Sequence, residues 1–280
     1  MRKLNVVAHQ DDTLLFMSPD IVDDITDGFT VQTVVVTDGW STIAGLDNEA
    51  YVRGRNAGLL SAIATMAGVD DPVWTTDRLA LDPGTVTRQT LVTAKATQAV
   101  VFLAIPEFGH SGGSGAGGCD EQGTSLAALY GSCVTTVTSG DGLTFGRDEV
   151  IHALHDLINE FQPDEIRLQD RDPANDFPAF AAHQYAWPDH PDHIAVASFV
   201  DDAARLYRDQ LDPDVLITPY RGYNIAAETV NVVGDHFDAK VSAFVAYAAH
   251  DADGGVQAYD DPASLYSCWL ARQCYRGDQA

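Results

Sequence analysis

Short apolar runs alternate along this chain with longer stretches in which apolar residues recur at helical spacing. The apolar runs predict strands at residues 4–8, 30–37, 100–105, 165–168 and 215–218. The helical spacing predicts helices at residues 49–67, 147–161 and 193–210. Strands that alternate with helices are typical of a parallel sheet with crossover helices. The sequence therefore predicts an α/β fold: a Rossmann-like three-layer α/β/α sandwich with a mostly parallel sheet.

Two segments lack this regular pattern. Residues 107–123 are rich in Gly and Ser, and residues 169–193 are rich in Pro, Asp and aromatic side chains. We expect the first to be either a mobile surface loop or a lid beside a site, and the second to be a long irregular connection. The chain shows no internal repeat and no composition shift that marks a boundary. We therefore expect residues 1–280 to form a single domain.

Composition and charge restrict the class of partner. The chain has 280 residues, 45% of them apolar, and 16 basic against 41 acidic side chains, which gives a formal net charge of −25. Such a charge repels phosphate backbones and anionic lipid surfaces, so we expect no nucleic-acid partner. No apolar stretch approaches the roughly 20 residues of a membrane span, so we expect no membrane-spanning segment. The same charge favours a neutral or cationic substrate over a polyanion.

The four cysteines form two pairs that are close in sequence. Cys119 and Cys133 lie in Gly- and Ser-rich sequence, and Cys268 and Cys274 lie near the end of the chain. Neither pair has the C-x-x-C spacing of a zinc or redox site. We expect two local disulfides, Cys119–Cys133 and Cys268–Cys274, in a secreted protein whose signal segment has been removed. The alternative is four thiols in a cytoplasmic enzyme.

Ionisable side chains follow the first predicted strand, in "VVAHQDDTLLF", where His9, Asp11 and Asp12 are found. His190 and His193 stand three apart, just before a predicted helix, in "WPDHPDHIAVASF". Ligands of such sheets gather outside the carboxyl ends of the strands, so the two segments can meet there. Each motif alone has a simpler interpretation, as a helix-capping segment or a surface histidine pair.

Together the two motifs predict a hydrolytic metal site. Two histidines and a carboxylate, here His9, His193 and Asp12, bind Zn²⁺ with a position left open for water; Fe²⁺ and Co²⁺ are alternatives. Asp11, beside a ligand carboxylate, is placed to take the proton of that water. His190 is then left to donate to the oxyanion and the leaving nitrogen.

"AHQDD" followed far downstream by "HPDH" resembles the PIG-L/LmbE-like zinc-dependent N-acetylglucosamine de-N-acetylases. The resemblance extends over roughly residues 4–220 and implies an LmbE-like fold that removes acyl groups, mostly acetyl, from amino sugars. Carried over by position, it implies His9, Asp12 and His193 as metal ligands. It implies Asp11 as the general base and His190 as the histidine that faces the oxyanion. The sequence departs from the family at residue 10, where glutamine replaces the usual proline.

Substrate contacts are suggested by two further stretches. "RNAGLLSAIATMAGV" resembles a helix of the same family and implies Arg55 as a substrate anchor, with Arg53 as the rival. "PYRGYN" follows the last predicted strand, so Arg221 and Tyr223 are candidates for contacts with sugar hydroxyls; interior packing is the alternative. A second pair, His152 and His155, has no carboxylate partner at a strand end, and we interpret it as part of a solvated helix face.

These observations lead to one hypothesis and two alternatives. The hypothesis is a zinc-dependent hydrolase that removes the acetyl group from the amide nitrogen of an amino sugar, as a small molecule or in an oligosaccharide. The first alternative is an N-deacylase of a natural product such as an aminoglycoside or a glycopeptide. The second is a catalytically silent carbohydrate-binding module on the same scaffold. Intact Asp11 and His190 disfavour the silent module, since metal binding alone needs neither.

Overall fold

A computed structural model describes residues 1–40, 47–109, 123–173, 189–210, 212–252, 261 and 264–276. Within these ranges the strands are β1 (Arg2–Val7), β2 (Thr30–Thr37), β3 (Thr75–Ala80), β4 (Thr85–Val92), β5 (Thr97–Ile105), β6 (Val137–Thr138), β7 (Thr144–Phe145), β8 (Glu165–Gln169) and β9 (Leu216–Tyr220). The helices are α1 (Asp12–Phe16), α2 (Asp20–Thr26), α3 (Asn48–Met66), α4 (Leu126–Tyr130), α5 (Arg147–Phe161), α6 (Pro191–Gln210), α7 (Asp235–Ala248) and α8 (Leu265–Leu270), with a 3₁₀ helix at Tyr223–Ala227. Most of the two irregular segments, at residues 110–122 and 174–188, lies outside the described residues.

The main sheet has seven strands in the order β3-β4-β5-β2-β1-β8-β9. The five strands from β5 to β9 in that order are parallel, whereas β4 runs antiparallel to β5 and β3 antiparallel to β4. The α/β fold with a mostly parallel sheet is therefore confirmed. The edge hairpin β3–β4 was not predicted, because β3 is almost entirely exposed and carries polar side chains in place of an apolar run.

The sheet has a switch point beside β1. From β1 the chain proceeds outward through β2 to β5 on one side, and β8 and β9 continue on the other side. Lys3 of β1 lies opposite Glu165 of β8, so these two strands are direct neighbours. In open α/β sheets the crevice that binds ligands forms where the strand order reverses, outside the carboxyl ends of the strands.

Helices cover both faces of the sheet. Leu4 and Val6 point to one face, where they join a core built with α4, α5 and α6. Val7 and Val35 point to the other face, where they meet α1, α2, α3, α7 and α8. β1 is buried on both faces, which explains why apolar residues occur there at consecutive positions, Val6 and Val7, beside the buried polar Lys3 and Asn5. The three layers agree with the prediction.

The three predicted helices are confirmed with small shifts of their ends. α3 begins at Asn48, where the side chain of Asp47 accepts a hydrogen bond from Ala50 N (2.8 Å). α5 has the predicted limits, and α6 begins two residues before the predicted start, at Pro191. None of the helices in the described ranges has the length and apolar character that a bilayer span needs.

The cysteine predictions have different outcomes. Cys133 is disulfide-bonded, while Cys119, its predicted partner, lies outside the described residues. Cys268 and Cys274 are thiols, so the predicted disulfide between them is wrong. Cys268 lies inside α8, and Cys274 lies in the segment beyond it, where its carbonyl accepts from Arg221 N (2.9 Å). Both side chains pack against the same apolar core, a placement that sequence spacing does not show. Export of the protein stays a prediction.

Candidate metal centre

The first motif forms the turn between β1 and α1. β1 ends at Val7, and His9 N donates to Asp12 Oδ2 (2.7 Å) across the turn. Asp11 stands at the N-cap position of α1, but its carboxylate makes no capping hydrogen bond. The capping interpretation therefore does not account for Asp11, whose side chain is available for other contacts.

The second motif lies at the start of α6. His193 occupies the first turn of α6, and its Nδ1 lies 2.7 Å from Asp189 Oδ1. Tyr223 N also donates to Asp189 Oδ1, at 3.1 Å. Gly222 is required here, because a Cβ at this position would lie 2.1 Å from Asp189 Oδ2. The Asp189 carboxylate is thus fixed by its neighbours and in turn orients the His193 ring.

The three predicted ligands converge at one point. His9 Nδ1 and His193 Nε2 are 3.1 Å apart, and His193 Nε2 lies 3.1 Å from Asp12 Oδ1. His9 Nδ1 lies 3.5 Å from Asp12 Oδ1, and all three side chains are buried. Tetrahedral zinc bonds of about 2.0–2.1 Å place neighbouring ligand atoms about 3.3–3.4 Å apart. The donor set and its spacing therefore fit a zinc ion.

The contact between His193 and Asp189 supports this fit. A metal-binding histidine usually directs its second ring nitrogen to a carboxylate or a carbonyl, which fixes the tautomer. His193 uses Nδ1 for Asp189, so its Nε2 faces His9 and Asp12. This buried His/Asp group can hold a metal ion.

Two acidic residues beside the centre were missed by sequence reasoning. Glu107 Oε1 lies 3.4 Å from His9 Nε2 and 3.7 Å from His190 Nε2. Asp192 N donates to His190 Nδ1 (3.2 Å), and Asp192 Oδ2 accepts from Phe108 N (2.7 Å). Glu107 follows β5 by two residues, so a survey of every strand's carboxyl end would have found it. Asp192 stood inside the "HPDH" motif.

The electrostatics of the ligand group favour a cation. Although burial acts in the opposite direction, His193 and His9 hold the pKa of Asp12 well below its ordinary value. Burial lowers the pKa of His193, but Asp12 and Asp189 outweigh it and raise that pKa to about 9. Burial also opposes protonation of His9, yet Glu107 and Asp12 raise its pKa well above the ordinary value. These carboxylates therefore favour positive charge at the point where the three ligand atoms converge.

The two proposed catalytic groups behave differently. Burial raises the pKa of Asp11 above its ordinary value, with Arg55 opposing and Asp12 adding to the shift. Burial and the neighbouring His9 and His193 lower the pKa of His190 well below its ordinary value. His190 is therefore neutral, and the hydrogen bond from Asp192 N to its Nδ1 places its proton on Nε2.

The candidate substrate residues occupy different environments. Arg55 is buried, and its NH2 donates to Asp11 Oδ1 (2.7 Å), whereas Arg53 pairs with Glu49 on the exposed face of α3 (3.2 Å). Tyr223 lies against the metal group, with its ring centroid 5.1 Å from that of His193. The buried Arg221 donates from NH1 to Glu228 Oε1 (2.8 Å).

The structure therefore brings Arg55 and Tyr223 to the centre and places Arg221 in an ion pair with Glu228. The second histidine pair lies apart from the centre, on α5. His152 faces Asp82 (3.7 Å) and His155 faces Asp156 (3.7 Å). Neither belongs to a potential metal group among the described residues.

The sequence matches a known family over most of its length. The model of the PIG-L family, described as GlcNAc-PI de-N-acetylase, matches residues 4–204. The chain therefore belongs to the PIG-L family of deacetylases, which confirms the resemblance that the two motifs indicated. No curated protein matches the chain.

Solved structures share the fold at low sequence identity. The N,N'-diacetylchitobiose deacetylase from Pyrococcus horikoshii is 14% identical, with a TM-score of 0.50 over 92% of this chain and 74% of that chain. The 4-carboxy-2-hydroxymuconate hydratase from Pseudomonas putida is 10% identical, with a TM-score of 0.52 over 96% of this chain and 83% of that chain. At these identities the likeness establishes the fold alone.

Proposed function

We propose that the protein is a zinc-dependent hydrolase that removes the acetyl group from the amide nitrogen of an amino sugar such as an N-acetylglucosamine derivative. One observation carries this proposal. His9 Nδ1, His193 Nε2 and Asp12 Oδ1 lie 3.1–3.5 Å from one another at the switch point of the sheet, and Asp11 adjoins them. The natural-product deacylase and the silent module remain the alternatives.

The residues around the metal group divide the chemistry. When bound, a divalent ion of this kind lowers the pKa of a water molecule and polarises a carbonyl. Asp11 accepts the proton of the attacking water at its carboxylate and passes it to the amine as the C–N bond breaks. The raised pKa of Asp11 brings it closer to neutral pH, where proton transfer in both directions is efficient.

His190 acts as a neutral donor. Its Nδ1 accepts from Asp192 N (3.2 Å), so Nε2 carries the proton. This N–H points into the space beside His9 and Glu107 and donates to the oxygen that becomes negative in the tetrahedral intermediate. The sequence suggested His190 as a donor to this oxygen, and its lowered pKa favours the neutral form for the task.

The proposed substrate class is inferred from the names of similar proteins. The family model is named for an N-acetylglucosamine conjugate, and the deacetylase from Pyrococcus horikoshii is named for diacetylchitobiose. Both names describe N-acetylated amino sugars, and of the two the uncharged diacetylchitobiose suits a formal charge of −25. The hydratase from Pseudomonas putida has the same fold, so the fold alone does not decide the reaction.

The test combines metal content with acetate release. Wild-type protein is expected to bind about one zinc per chain and to release acetate from N-acetylglucosamine or diacetylchitobiose. His193→Ala is expected to lose both. His152→Ala, which changes an exposed histidine on α5, is the matched control and is expected to keep both.

The other results are equally informative. Zinc retained in His193→Ala would show that the ligand set is wrong. Zinc bound by the wild type without acetate from either sugar would contradict the amino-sugar substrate. Acetylated aminoglycosides and glycopeptides would then be tested, and a failure of these as well would leave the silent module.

A further inference from the structure

The region beyond residue 204, where the family match ends, also reaches the proposed active site. α7 packs along α3 with very close backbones. A Cβ at Gly58 would lie 2.7 Å from Tyr247 O, and one at Gly54 would lie 2.6 Å from His250 O. Only glycine at these two positions permits the approach. The approach brings the end of α7 against the part of α3 that carries Arg55.

Tyr247 and Asp251 bind the outer edge of the Arg55 side chain. Arg55 Nε donates to the Tyr247 hydroxyl (2.7 Å), and that hydroxyl donates to Asp251 Oδ2 (2.6 Å). Asp251 Oδ2 also lies 3.5 Å from Arg55 Nε. The exposed fractions are 7% for Arg55, 0% for Tyr247 and 5% for Asp251. A charged group this deeply buried is maintained only when its hydrogen bonds are satisfied.

The inner edge of the same guanidinium contacts the proposed base. Arg55 NH2 donates to Asp11 Oδ1 (2.7 Å), and NH1 donates to the carbonyl of Gly39 at the end of β2 (2.7 Å). The planar guanidinium is thus held at all three nitrogens, which fixes both its position and its plane. Because the contact uses Asp11 Oδ1, the plane of the carboxylate is set and Oδ2 is left for the exchanged proton.

We propose that Tyr247 and Asp251 are positioning residues for the hydrolysis, which act through Arg55 to orient the carboxylate of Asp11. The proposal rests on the proposed function, since it gives Asp11 the role of base. It assigns to Arg55 a task at Asp11 that is separate from any contact with substrate. It also gives the segment beyond the family match a part in the reaction.

The first test removes the hydroxyl or the charge and retains the shape. Tyr247→Phe keeps the ring that packs beside Phe244 (5.9 Å), and Asp251→Asn keeps the side-chain volume. Each is expected to lower kcat for acetate release about tenfold, with KM within about twofold of wild type and zinc content unchanged. Tyr207→Phe, at a buried tyrosine of α6 on the other side of the sheet, is the control and is expected to behave as wild type.

The second test asks whether the effect passes through Arg55. In an Arg55→Ala background, Tyr247→Phe is expected to change kcat by less than about twofold, because the connection to Asp11 is already broken. A further tenfold loss in that background would overturn the proposal, since Tyr247 would then act by another route. A wild-type kcat in both Tyr247→Phe and Asp251→Asn would overturn it as well.

The third test does not depend on activity. The Nε–H of Arg55 in wild-type protein is expected to exchange slowly with solvent in NMR, and Tyr247→Phe is expected to accelerate this exchange at least about tenfold. Unchanged exchange in Tyr247→Phe overturns the proposal even when the wild type releases acetate. Absence of acetate release by the zinc-loaded wild type instead overturns the proposed function, whatever the exchange rate.

Discussion

Two buried groups of ionisable side chains, both built on β1 and the elements beside it, differ in how they are neutralised. The first is the metal group, made of His9, Asp12 and His193 at the carboxyl end of the sheet. The second lies within β1 and β8 and under α2, and is made of Lys3, Asp24, Glu165 and Arg167. We refer to the second as the β1–β8 ion network.

The β1–β8 ion network neutralises itself. Lys3 Nζ lies 2.5 Å from Glu165 Oε2, and Arg167 NH2 lies 3.1 Å from the same oxygen. Arg167 NH1 contacts Asp24 Oδ2 at 2.5 Å, as an ion pair and not as a well-aligned hydrogen bond. Two cations therefore meet two carboxylates. This balance is what a structural role requires, because burial of unpaired charge is costly.

The metal group and its neighbours lack such a balance. His9 Nε2, Glu107 Oε2 and Asp192 Oδ1 are buried atoms that make no hydrogen bond within the described part of the chain. Carboxylates and imidazoles converge here, and the neighbouring cation, Arg55, is already paired with Asp11.

The β1–β8 ion network also has buried atoms without a hydrogen bond, at Arg167 and Asp24, but these two side chains pair with each other as ions. The excess of carboxylates over permanent cations is therefore what calls for an ion at the metal group. Both groups are buried, so it is the balance of charge that separates the candidate metal group from the structural one.

The largest expected effect is at Asp11. Asp11→Asn is expected to lower kcat about a thousandfold, because an amide accepts the hydrogen bond of Arg55 but does not take a proton from water. Zinc content and the urea midpoint of unfolding are expected to stay at the wild-type values or above. Steady-state acetate release, metal analysis and urea unfolding test this. A kcat within tenfold of wild type would remove Asp11 from the role of base.

The opposite pattern is expected in the β1–β8 ion network. Glu165→Gln removes the partner of Lys3 and Arg167. We therefore expect the free energy of unfolding to fall by about 3 kcal/mol at pH 7, with kcat per folded molecule unchanged. Urea denaturation measures the difference. The control is Glu160→Gln, which breaks a surface pair with Arg88 (2.9 Å). It is expected to lower the free energy of unfolding by less than about 1 kcal/mol. Equal effects of the two variants would contradict the comparison.

The same variant has a defined pH dependence. Although burial acts in the opposite direction, hydrogen bonds from Lys3 and Thr218 lower the pKa of Glu165 in the folded protein below its ordinary 4.5. The charge of Glu165 therefore stabilises the fold at every pH above 4.5, and this contribution is lost as the pH falls through the lower folded value. The stability gap between wild type and Glu165→Gln should be full at pH 7 and close in acid. A gap that widens in acid would contradict this sign.

A smaller effect is expected at the carboxylate behind His193. Asp189→Asn is expected to weaken zinc binding about 10- to 100-fold, because Asp189 Oδ1 orients the imidazole from 2.7 Å. Competition with a chelator measures the change in Kd. Asp201→Asn, on the helix α6 that carries His193 but paired with Arg205 (2.8 Å), is the control. An unchanged Kd in Asp189→Asn would mean that His193 keeps its orientation without this carboxylate.

The sequence predicted the parts of the site that depend on local order. The second half of β1 is mainly apolar because it is buried on both faces, and the ionisable residues that follow it mark its carboxyl end. "HPDH" was placed beside "AHQDD" by a general rule for parallel sheets. The β3–β4 hairpin was missed because an exposed edge strand carries no apolar signal.

The pattern of apolar and polar residues does not predict contacts between segments that are distant in the sequence. Tyr247 and Asp251 meet Arg55 only because α7 packs on α3 across two glycines. The wrong disulfide between Cys268 and Cys274 has the same cause, since short spacing does not show that Cys268 lies in a helix. Glu107 is different, since it follows β5 by two residues and the rule that placed the two motifs would also have found it.

The smallest expected effect is at Gln10, where the PIG-L resemblance predicts proline. Gln10 Nε2 donates to Asp38 O (3.0 Å) and to Asn56 Oδ1 (2.8 Å), so its side chain ties the turn between His9 and Asp11 to the end of β2 and to α3. Gln10→Ala is expected to lower kcat/KM about fivefold, roughly 1 kcal/mol, because two neutral hydrogen bonds are lost.

Gln10→Pro separates two explanations of that loss. Proline fixes the backbone by its ring, so a turn that needs only rigidity should keep kcat/KM within about twofold of wild type. A proline variant no more active than Gln10→Ala would show that the hydrogen bonds of the glutamine side chain, and not rigidity alone, are what the position supplies. Asn56→Ala should then reproduce much of the loss of Gln10→Ala, because it removes one of the two acceptors of Gln10 Nε2.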